Sequence, residues 1–243
     1  LVRDFKTDTF LKTSSIDITT KILLKKDKVI QANLIARKKL IICGVLFIKE
    51  FVKSIDKNIK ILVYHSDGSE VKKNCKILSL KGSCITILKL ERTILNFVQH
   101  LSSISTSTYK LVKKIEKYKS KLVDTRKTIS NLRILQKYAV KIGGGKNNRM
   151  GLFDEILIKD NHIKIIGGIN ETLSIIRKRK IKNFKIECDT INQVKKAIDF
   201  ESKYIMLDNM NLKQIKKCIK MGEGKKTLFE ITGGISEKNI VKF

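Results

Sequence analysis

The stretches FKIECD at residues 184–189 and YIMLDN at residues 204–209 decide the fold of this chain. In each, a short apolar run ends abruptly in a charged or polar residue, and the chain between the two runs is long enough for a helix. The same pattern recurs at LVDTRK (122–127), ILIKDNH (156–162) and LFEITGG (228–234). Repetition of strand, charged end and helix is typical of a parallel α/β barrel, in which side chains from several strand ends converge on one rim. The pattern therefore predicts an enzyme.

Strands and helices alternate throughout this half of the chain, which implies a parallel sheet with right-handed crossovers. The predicted strands are 121–125, 156–159, 184–188, 203–207 and 226–231. The predicted helices are 132–141, 170–179, 190–199, 211–220 and one from 236. Five or six such units do not close an ordinary eight-stranded barrel, and the chain stops at Phe243 within a predicted helix. We therefore expect an open, incomplete barrel: either the barrel is of an atypical open kind, or the chain is truncated at its C-terminal end.

The first part of the chain has the pattern of a small sheet-and-helix domain. We predict strands at 29–36, 59–65, 75–80 and 84–88, a helix at 46–55, and linking helices at 91–101 and 107–118. The predicted fold class is thus α/β: a small N-terminal α+β sandwich domain with a linking helix (1–108), followed by an open, incomplete α/β barrel (109–243).

The composition excludes several classes of protein. The formal net charge is +29, but the charge is spread along the chain, Lys outnumbers Arg by 44 to 8, and Pro and Trp are absent. These features indicate an AT-rich gene with a lysine-rich surface, and they make specific nucleic-acid binding a minor alternative. No apolar run reaches the roughly 20 residues that span a bilayer. The five cysteines form no CxxC pair, which argues against structural zinc or a disulfide framework and favours a reducing cytoplasm.

The strand ends carry charges suited to an anionic substrate. The cations are Arg126, Lys127, Lys159 and, from a loop, Arg149; the acids are Asp124, Asp160, Glu187 and Asp208. Arginine is informative in such a lysine-rich chain because its rigid fork matches carboxylate and phosphate. The glycines at 143–145 and 233–234 are expected to offer backbone N–H groups to phosphate. Together these residues imply a phosphorylated sugar and a carboxylated partner, with two acids suited to Mg²⁺ or sugar hydroxyls.

Other polar residues near the rim are expected to have supporting roles. We predict that Asp124 and Asp160 orient neighbouring cations, and that His162 makes a hydrogen bond within the rim. Glu230 is a candidate partner for a lysine inside the barrel.

Several motifs in order resemble one family over nearly the whole chain. They are DTRKT (124–128), LR (132–133), KYAV (137–140), GGGKNNRMGL (143–152), LIKDNH (157–162), IECD (186–189), MLDNM (206–210) and TGGI (232–235), with ERT (91–93), LN (95–96) and, more loosely, DITT (17–20). This set resembles quinolinate phosphoribosyltransferase, the carboxylating nicotinate-nucleotide pyrophosphorylase.

The resemblance implies a reaction and a set of site residues. Quinolinate and phosphoribosyl pyrophosphate would give nicotinate mononucleotide, pyrophosphate and CO₂ with Mg²⁺, in de novo NAD biosynthesis. The implied catalytic residues are Lys127, Lys159, Glu187 and Asp208, of which Glu187 and Asp208 would also hold ribose hydroxyls and magnesium. The other implied substrate-binding residues are Arg92, Thr125, Arg126, Asn148, Arg149, Thr232, Gly233 and Gly234. Arg92 would enter the site of a second subunit, which implies a homodimer.

The chain departs from the family pattern at several positions. Asn148 replaces a histidine, and an amide cannot carry the charge. Ser130 and Asn131 replace Pro-Gly, which loosens a turn. The final strand and its glycine loop are absent after Phe243. A decayed, non-catalytic relative that keeps the fold and dimer therefore remains an alternative, as does a related enzyme for another carboxylated heterocycle.

Overall fold

The computed structural model describes residues 17–243, and these form two compact units. The first unit ends at Asn148, and the second comprises Arg149–Phe243. Residues 1–16 of the predicted N-terminal domain lie outside the described residues. The predicted domain division at 108 and 109 stays a prediction.

The first unit combines two small antiparallel sheets with helices. Its elements are α1 (Ile18–Leu23), β1 (Val29–Ile35), β2 (Leu40–Ile41), α2 (Val45–Ile55), β3 (Lys60–Val63), β4 (Glu70–Val71), β5 (Lys76–Ser83), α3 (Cys84–Ile115) and α4 (Arg133–Ile142). One sheet has the order β1-β5-β3 and the other pairs β2 with β4. In the larger sheet Ala32 lies opposite Leu80 and Leu34 opposite Leu78, so one face is apolar. That face packs against α2 and the first half of α3.

The long helix α3 replaces three predicted elements. The strand predicted at 84–88 and the break predicted near 102–106 are both wrong, because Cys84–Ile115 is one continuous helix. Ser83 caps it by accepting a hydrogen bond from the N–H of Thr86 at 3.1 Å. Buried side chains at helical spacing, including Leu90, Ile94 and Val98, fix one face of this helix in the core.

Hydroxyl groups in the middle of α3 hold the segment around β2. The Ser105 hydroxyl lies 2.7 Å from the carbonyl of Ile41, and the Ser102 hydroxyl accepts the N–H of Cys43 at 3.0 Å. Thr106 accepts the N–H of Ile41 at 3.0 Å. These side chains satisfy backbone groups of a two-residue strand that has little ladder of its own. The Ser and Thr residues between the two predicted linking helices are therefore a row of contacts along one helix.

The second unit is a parallel α/β structure. Its elements are β6 (Leu157–Ile158), α5 (Asp160–Ile166), α6 (Ile169–Lys178), β7 (Lys185–Cys188), α7 (Ile191–Asp199), β8 (Tyr204–Asp208), α8 (Leu212–Met221), β9 (Leu228–Thr232) and a 3₁₀ turn (Ile240–Lys242). The sheet order is β6-β7-β8-β9, and all its pairs are parallel. These four strands do not close into a barrel. The predicted open parallel architecture is thereby confirmed.

The two faces of this sheet differ in chemistry because side chains alternate along each strand. One face is apolar and packs on the helices; it carries Ile186, Cys188, Ile205, Leu207, Phe229 and Ile231. The other face carries Lys185, Glu187, Tyr204, Met206, Asp208, Leu228, Glu230 and Thr232. The helices supply matching apolar side chains such as Val194, Ile215 and Cys218, all at most 2% exposed. The helix-covered face therefore fixes the sheet and leaves the opposite face for polar groups.

Two predicted elements differ in the structure. The strand predicted at 121–125 is a single parallel bridge between Val123 and Lys146, since a charged run follows at once. The helix predicted from 236 is only the turn at Ile240–Lys242. Asn239 explains this turn, because its side chain accepts the N–H of Ser236 at 2.7 Å and donates to the carbonyl of Gly234 at 2.9 Å. None of the helices within residues 17–243 is both long and apolar enough to cross a membrane.

We predict that Ser105→Ala lowers the free energy of unfolding by about 1 kcal/mol, because the hydroxyl bonded to the Ile41 carbonyl is fully buried. The matched control is Ser103→Ala on the exposed side of the same helix, which should change stability by less than about 0.5 kcal/mol. Urea denaturation followed by circular dichroism measures both. Equal values for the two variants would contradict the role assigned to Ser105.

Candidate active site

The carboxyl ends of the parallel strands bring four predicted residues to one edge of the second unit. Asp208 pairs in register with Thr232, and Glu187 lies opposite Met206, two residues before Asp208. Lys159 directly follows β6 and has extended backbone, so it continues the strand at the level of Glu187. By alternation, all four side chains belong to the polar face of the sheet. Lys159 is exposed, while the three others are half-buried.

The loop after β6 fixes the backbone at Lys159. The ring of His162 accepts the backbone N–H of Lys159 through Nδ1 at 2.9 Å, which confirms the predicted rim hydrogen bond. Asp160 pairs with Lys164 at 3.1 Å in the next helical turn. The hydrogen bond from Lys164 lowers the pKa of Asp160. Asp160 therefore pairs first with Lys164 of its own helix, while the nearby charge of Lys159 also lowers its pKa. Its predicted role in orienting Lys159 stays a prediction.

A tight glycine turn follows Thr232 and contacts the loop after Asp208. Asn209 donates its backbone N–H to the carbonyl of Thr232 at 3.0 Å and its side-chain amide to Asp208 at 2.8 Å. Gly233 has a φ of +86°, and a Cβ at this position would collide with the side chain of Asn209. Gly234 also has a positive φ, +66°, but its surroundings are open. Gly233 therefore allows the two strand-end loops to approach each other closely.

A lysine on the polar face balances two glutamates. Lys185 lies 3.1 Å from Glu230 and 3.4 Å from Glu155, and its side chain is only 14% exposed. The expectation that Glu230 has a lysine partner is confirmed. Glu187 and Lys185 occupy the same face two residues apart, so a cation already matched by Glu155 and Glu230 lies below the strand-end site.

The thiol beside Glu187 is not a reactive group. Burial raises the pKa of Cys188 to about 12, because the low-polarity surroundings disfavour the thiolate. The side chain is fully buried on the helix-covered face of the sheet. Covalent catalysis by this cysteine is therefore excluded at neutral pH.

In the first unit, Asp124 joins the segment that carries Arg126 and Lys127 to the segment that ends at Asn148. Its Oδ1 accepts the Lys137 ammonium at 2.5 Å and the backbone N–H of Asn148 at 2.7 Å. Lys137 also donates to the Asn148 carbonyl at 3.0 Å. Asp124 therefore does pair with a cation, as predicted, but that cation is Lys137 and not the neighbouring Arg126 or Lys127. Asn148 takes part through its backbone, so this contact does not depend on the side chain that replaces the family's histidine.

Helix α4 supports this group. The Tyr138 hydroxyl donates to Asp67 at 2.8 Å, and its ring packs edge-on against Phe47 at 5.2 Å between centroids. Ala139 is fully buried beside them. These contacts fix the two residues that directly follow Lys137 in α4, and they thereby help to hold its ammonium beside Asp124.

The predicted phosphate-binding role of Gly143, Gly144 and Gly145 is wrong. Their N–H groups donate to carbonyls at the end of α4, each at 3.0 Å. A Cβ at Gly143 or Gly145 would lie within 3.0 Å of Thr108 side-chain atoms. These glycines therefore end the helix and pack closely against α3.

The remaining predicted site residues take several positions. Thr125 and Lys127 are exposed, and the Thr125 hydroxyl accepts the backbone N–H of Lys127 at 3.1 Å. Arg126 is half-buried. Arg149, the first residue of the second unit, donates to the Glu155 carbonyl at 3.2 Å. Arg92 lies on the exposed side of α3.

The carboxylates suit Mg²⁺ bound together with a phosphorylated substrate. Within residues 17–243 no cluster of three His, Cys, Asp or Glu side chains is arranged to hold a metal by itself. Glu187 and Asp208 lie on neighbouring strands at the same edge. Mg²⁺ commonly takes one or two protein carboxylates and completes its shell with substrate phosphates and water, so these two residues fit the ion.

The sequence did not single out Lys137 or Lys185 as members of the site. Lys137 falls within a quoted motif, but nothing in its spacing distinguishes it from the many surface lysines. Lys185 follows the alternation of β7 with Glu187, and this period of two is the one signal that could have placed it on the polar face.

We predict that Gly233→Ala lowers the free energy of unfolding by at least about 1 kcal/mol more than Gly234→Ala, because only the first places a methyl group against Asn209. Both positions have positive φ, so the pair separates the collision from the backbone strain. Urea denaturation of the two variants is the measurement. Equal destabilisation of the two variants would show that the close approach of Gly233 to Asn209 does not affect the free energy of unfolding.

Comparison with known proteins matches the whole described chain to one family. The model of the quinolinate phosphoribosyl transferase N-terminal domain matches residues 17–102, and that of the C-terminal domain matches residues 104–243. A probable nicotinate-nucleotide pyrophosphorylase [carboxylating] of Methanocaldococcus jannaschii is 36% identical over 237 residues, covering 93% of this chain and 82% of the relative. Its counterpart in Bacillus subtilis is 36% identical over 216 residues, covering 88% and 74%.

Solved structures give the same result. The nicotinate-nucleotide pyrophosphorylase of Francisella tularensis has a TM-score of 0.90 and 39% identity, covering 99% of this chain and 84% of that one. The enzyme of Ehrlichia chaffeensis has a TM-score of 0.92 and 34% identity, covering 99% and 86%. On these matches, and with the strand-end residues in place, the chain belongs to the quinolinate phosphoribosyl transferase family.

Proposed function

We propose that this chain transfers the phosphoribosyl group of phosphoribosyl pyrophosphate to quinolinate, giving nicotinate mononucleotide, pyrophosphate and CO₂. Its family membership makes it a phosphoribosyltransferase of NAD biosynthesis, a carboxylating nicotinate-nucleotide pyrophosphorylase. The observation that carries the assignment is the edge of the parallel sheet, where Lys159, Glu187, Asp208 and Thr232 share one face. A nucleic-acid-binding role has no comparable support.

The ribose is the part of the substrate that the acids would stabilise. Departure of pyrophosphate from the anomeric carbon builds positive charge on the sugar ring. Glu187 and Asp208 would hold the ribose hydroxyls and place their negative charge beside that carbon. Both carboxylates belong to strand ends whose opposite faces are buried, so they require little reorganisation during the reaction.

Magnesium and the glycine turn would bind the phosphates. Glu187 and Asp208 would hold Mg²⁺ together with the substrate, and the ion would supply positive charge beside the pyrophosphate. Thr232, Gly233 and Gly234 would surround the 5′-phosphate with hydroxyl and backbone N–H donors. The contact between Asn209 and the Thr232 carbonyl supports this turn.

The cations would bind the two quinolinate carboxylates and the substrate phosphates. The proposed ligands are Arg126, Lys127, Arg149 and Lys159, assisted by Thr125 and Asn148. Once the ring nitrogen has bonded to the anomeric carbon, the C–C bond to the adjacent carboxylate breaks and CO₂ leaves. The electron pair stays on the ring carbon, stabilised by the adjacent ring cation, and is then protonated. Positioning and charge thus supply most of the catalysis.

We propose a homodimer with shared sites, to which Arg92 contributes. It lies on the exposed side of α3, where a guanidinium is available to a second copy of the chain. We propose that it reaches the quinolinate site of the partner subunit. The free cysteines of the described chain are consistent with a cytoplasmic location.

The first test is turnover. The purified protein should release CO₂ and pyrophosphate from quinolinate and phosphoribosyl pyrophosphate with Mg²⁺, and Glu187→Gln or Asp208→Asn should lower kcat by about 100-fold or more. Glu223→Gln, an exposed change after α8, should leave kcat unaltered. Quinolinate binding without turnover would support the decayed alternative. Turnover with another carboxylated heterocycle in place of quinolinate would reassign the substrate.

The second test is subunit complementation. Arg92→Ala and Glu187→Gln chains should each be nearly inactive alone. Mixed under conditions that exchange subunits, they should regain about a quarter of the wild-type sites, since each hybrid dimer then holds one intact site. Assays of the mixture against each parent, with size-exclusion chromatography as the control for assembly, measure this. No recovery in a verified hybrid would place Arg92 in its own subunit's site or outside any site.

A further inference from the structure

The Lys137–Asp124 pair is the most deeply buried ion pair of the described chain. The side chain of Lys137 is 1% exposed and that of Asp124 is 7% exposed, with 2.5 Å between Nζ and Oδ1. Taking an ammonium and a carboxylate out of water costs several kcal/mol per ion, and their attraction only partly offsets it. An apolar side chain would fill the same space at lower cost, so stability alone does not account for the pair.

The position of the pair suggests what the charge does. Asp124 lies two residues before Arg126 and three before Lys127, both proposed ligands of the substrate anions. Asn148, which contacts both members of the pair, directly precedes Arg149. The buried pair therefore lies at the junction of two segments that carry three of the proposed anion-binding cations.

Two polar atoms near this junction lack partners. Asp124 Oδ2 and Arg126 Nε are both shielded from solvent and make no hydrogen bond among the described residues. A lone carboxylate at position 124 would attract the Arg126 guanidinium, because opposite charges in a poorly solvated site interact strongly. Such a pairing would occupy a cation that the substrate carboxylates need.

We propose that Lys137 is a positioning residue: it neutralises Asp124 within the fold, so that Arg126 and Lys127 keep their charge for the substrate anions. Asp124 can then hold the Asn148 backbone by its N–H without competing with the substrate. This inference rests on the proposed function for the identity of the anion. The pairing of Lys137 with Asp124 and its effect on Arg126 do not depend on which anion binds.

The test compares four proteins by isothermal titration with quinolinate and, separately, with inorganic pyrophosphate. The proteins are wild type, Lys137→Met, the double variant Asp124→Asn/Lys137→Met, and the control Lys141→Met. Lys141 is one helical turn further along α4 and exposed. Circular dichroism melting sets a temperature at which each protein is folded.

We expect Lys137→Met to weaken anion binding by about tenfold or more, because its unpaired carboxylate captures Arg126. The double variant should recover to within about threefold of wild type, since it has no carboxylate left to compete, and Lys141→Met should match wild type. In steady-state assays Lys137→Met should raise the KM for quinolinate with little change in kcat. A purely structural role of Lys137 predicts instead equal losses in the single and double variants, and that result would overturn the proposal.

Two further outcomes are decisive. If Lys137→Met does not fold, the anion affinity of the double variant Asp124→Asn/Lys137→Met is the deciding measurement. An affinity near that of the wild type supports the proposal, and a tenfold loss of affinity overturns it. If the wild type binds pyrophosphate but not quinolinate, the proposed substrate fails, while the order of the variants with pyrophosphate still tests Lys137. A wild-type protein that binds neither anion overturns both.

Discussion

The parallel pairing of Lys185–Cys188 with Tyr204–Asp208 is the constraint on which the rest of the second unit depends. Ile186 and Leu207 face the helices, where both are fully buried among apolar side chains such as Val194. Because side chains alternate along a strand, Glu187 and Asp208 then lie on the opposite, polar face of the sheet. A slip of one residue would bury both carboxylates under the helices and expose the core, so the packing that stabilises the sheet also fixes the site.

The exposed lysines and the buried lysines of this chain differ in their partners. Most of the many lysines are exposed and contribute little individually to stability. Lys137 and Lys185 are the contrasting cases, each shielded and each matched by carboxylates within 3.4 Å. Both lie near residues proposed to bind substrate. Buried lysines in a chain with net charge +29 therefore identify the site better than the total charge does.

The strands of the second unit were predictable because their apolar runs are short, bounded and followed by helices of ordinary length. The predictions failed where the local sequence pattern favoured one structure or role and contacts with other parts of the fold imposed another. Cys84–Leu88 has the composition of a strand, but the Ser83 cap and the core spacing of Ile87 and Leu90 make it helical. The glycines at 143–145 resemble a phosphate loop, yet their N–H groups are used by the helix that precedes them.

The sequence by itself determined the four strands of the second unit, their charged ends and the family, because each depends on local spacing and residue type. It also placed Glu187, Asp208 and Thr232 at strand ends. Only the tertiary structure decided that Asp124 bonds Lys137 rather than Arg126, and that Lys185 joins Glu155 and Glu230. Partners separated by many residues are chosen by how elements pack, and no local pattern in the sequence records that choice.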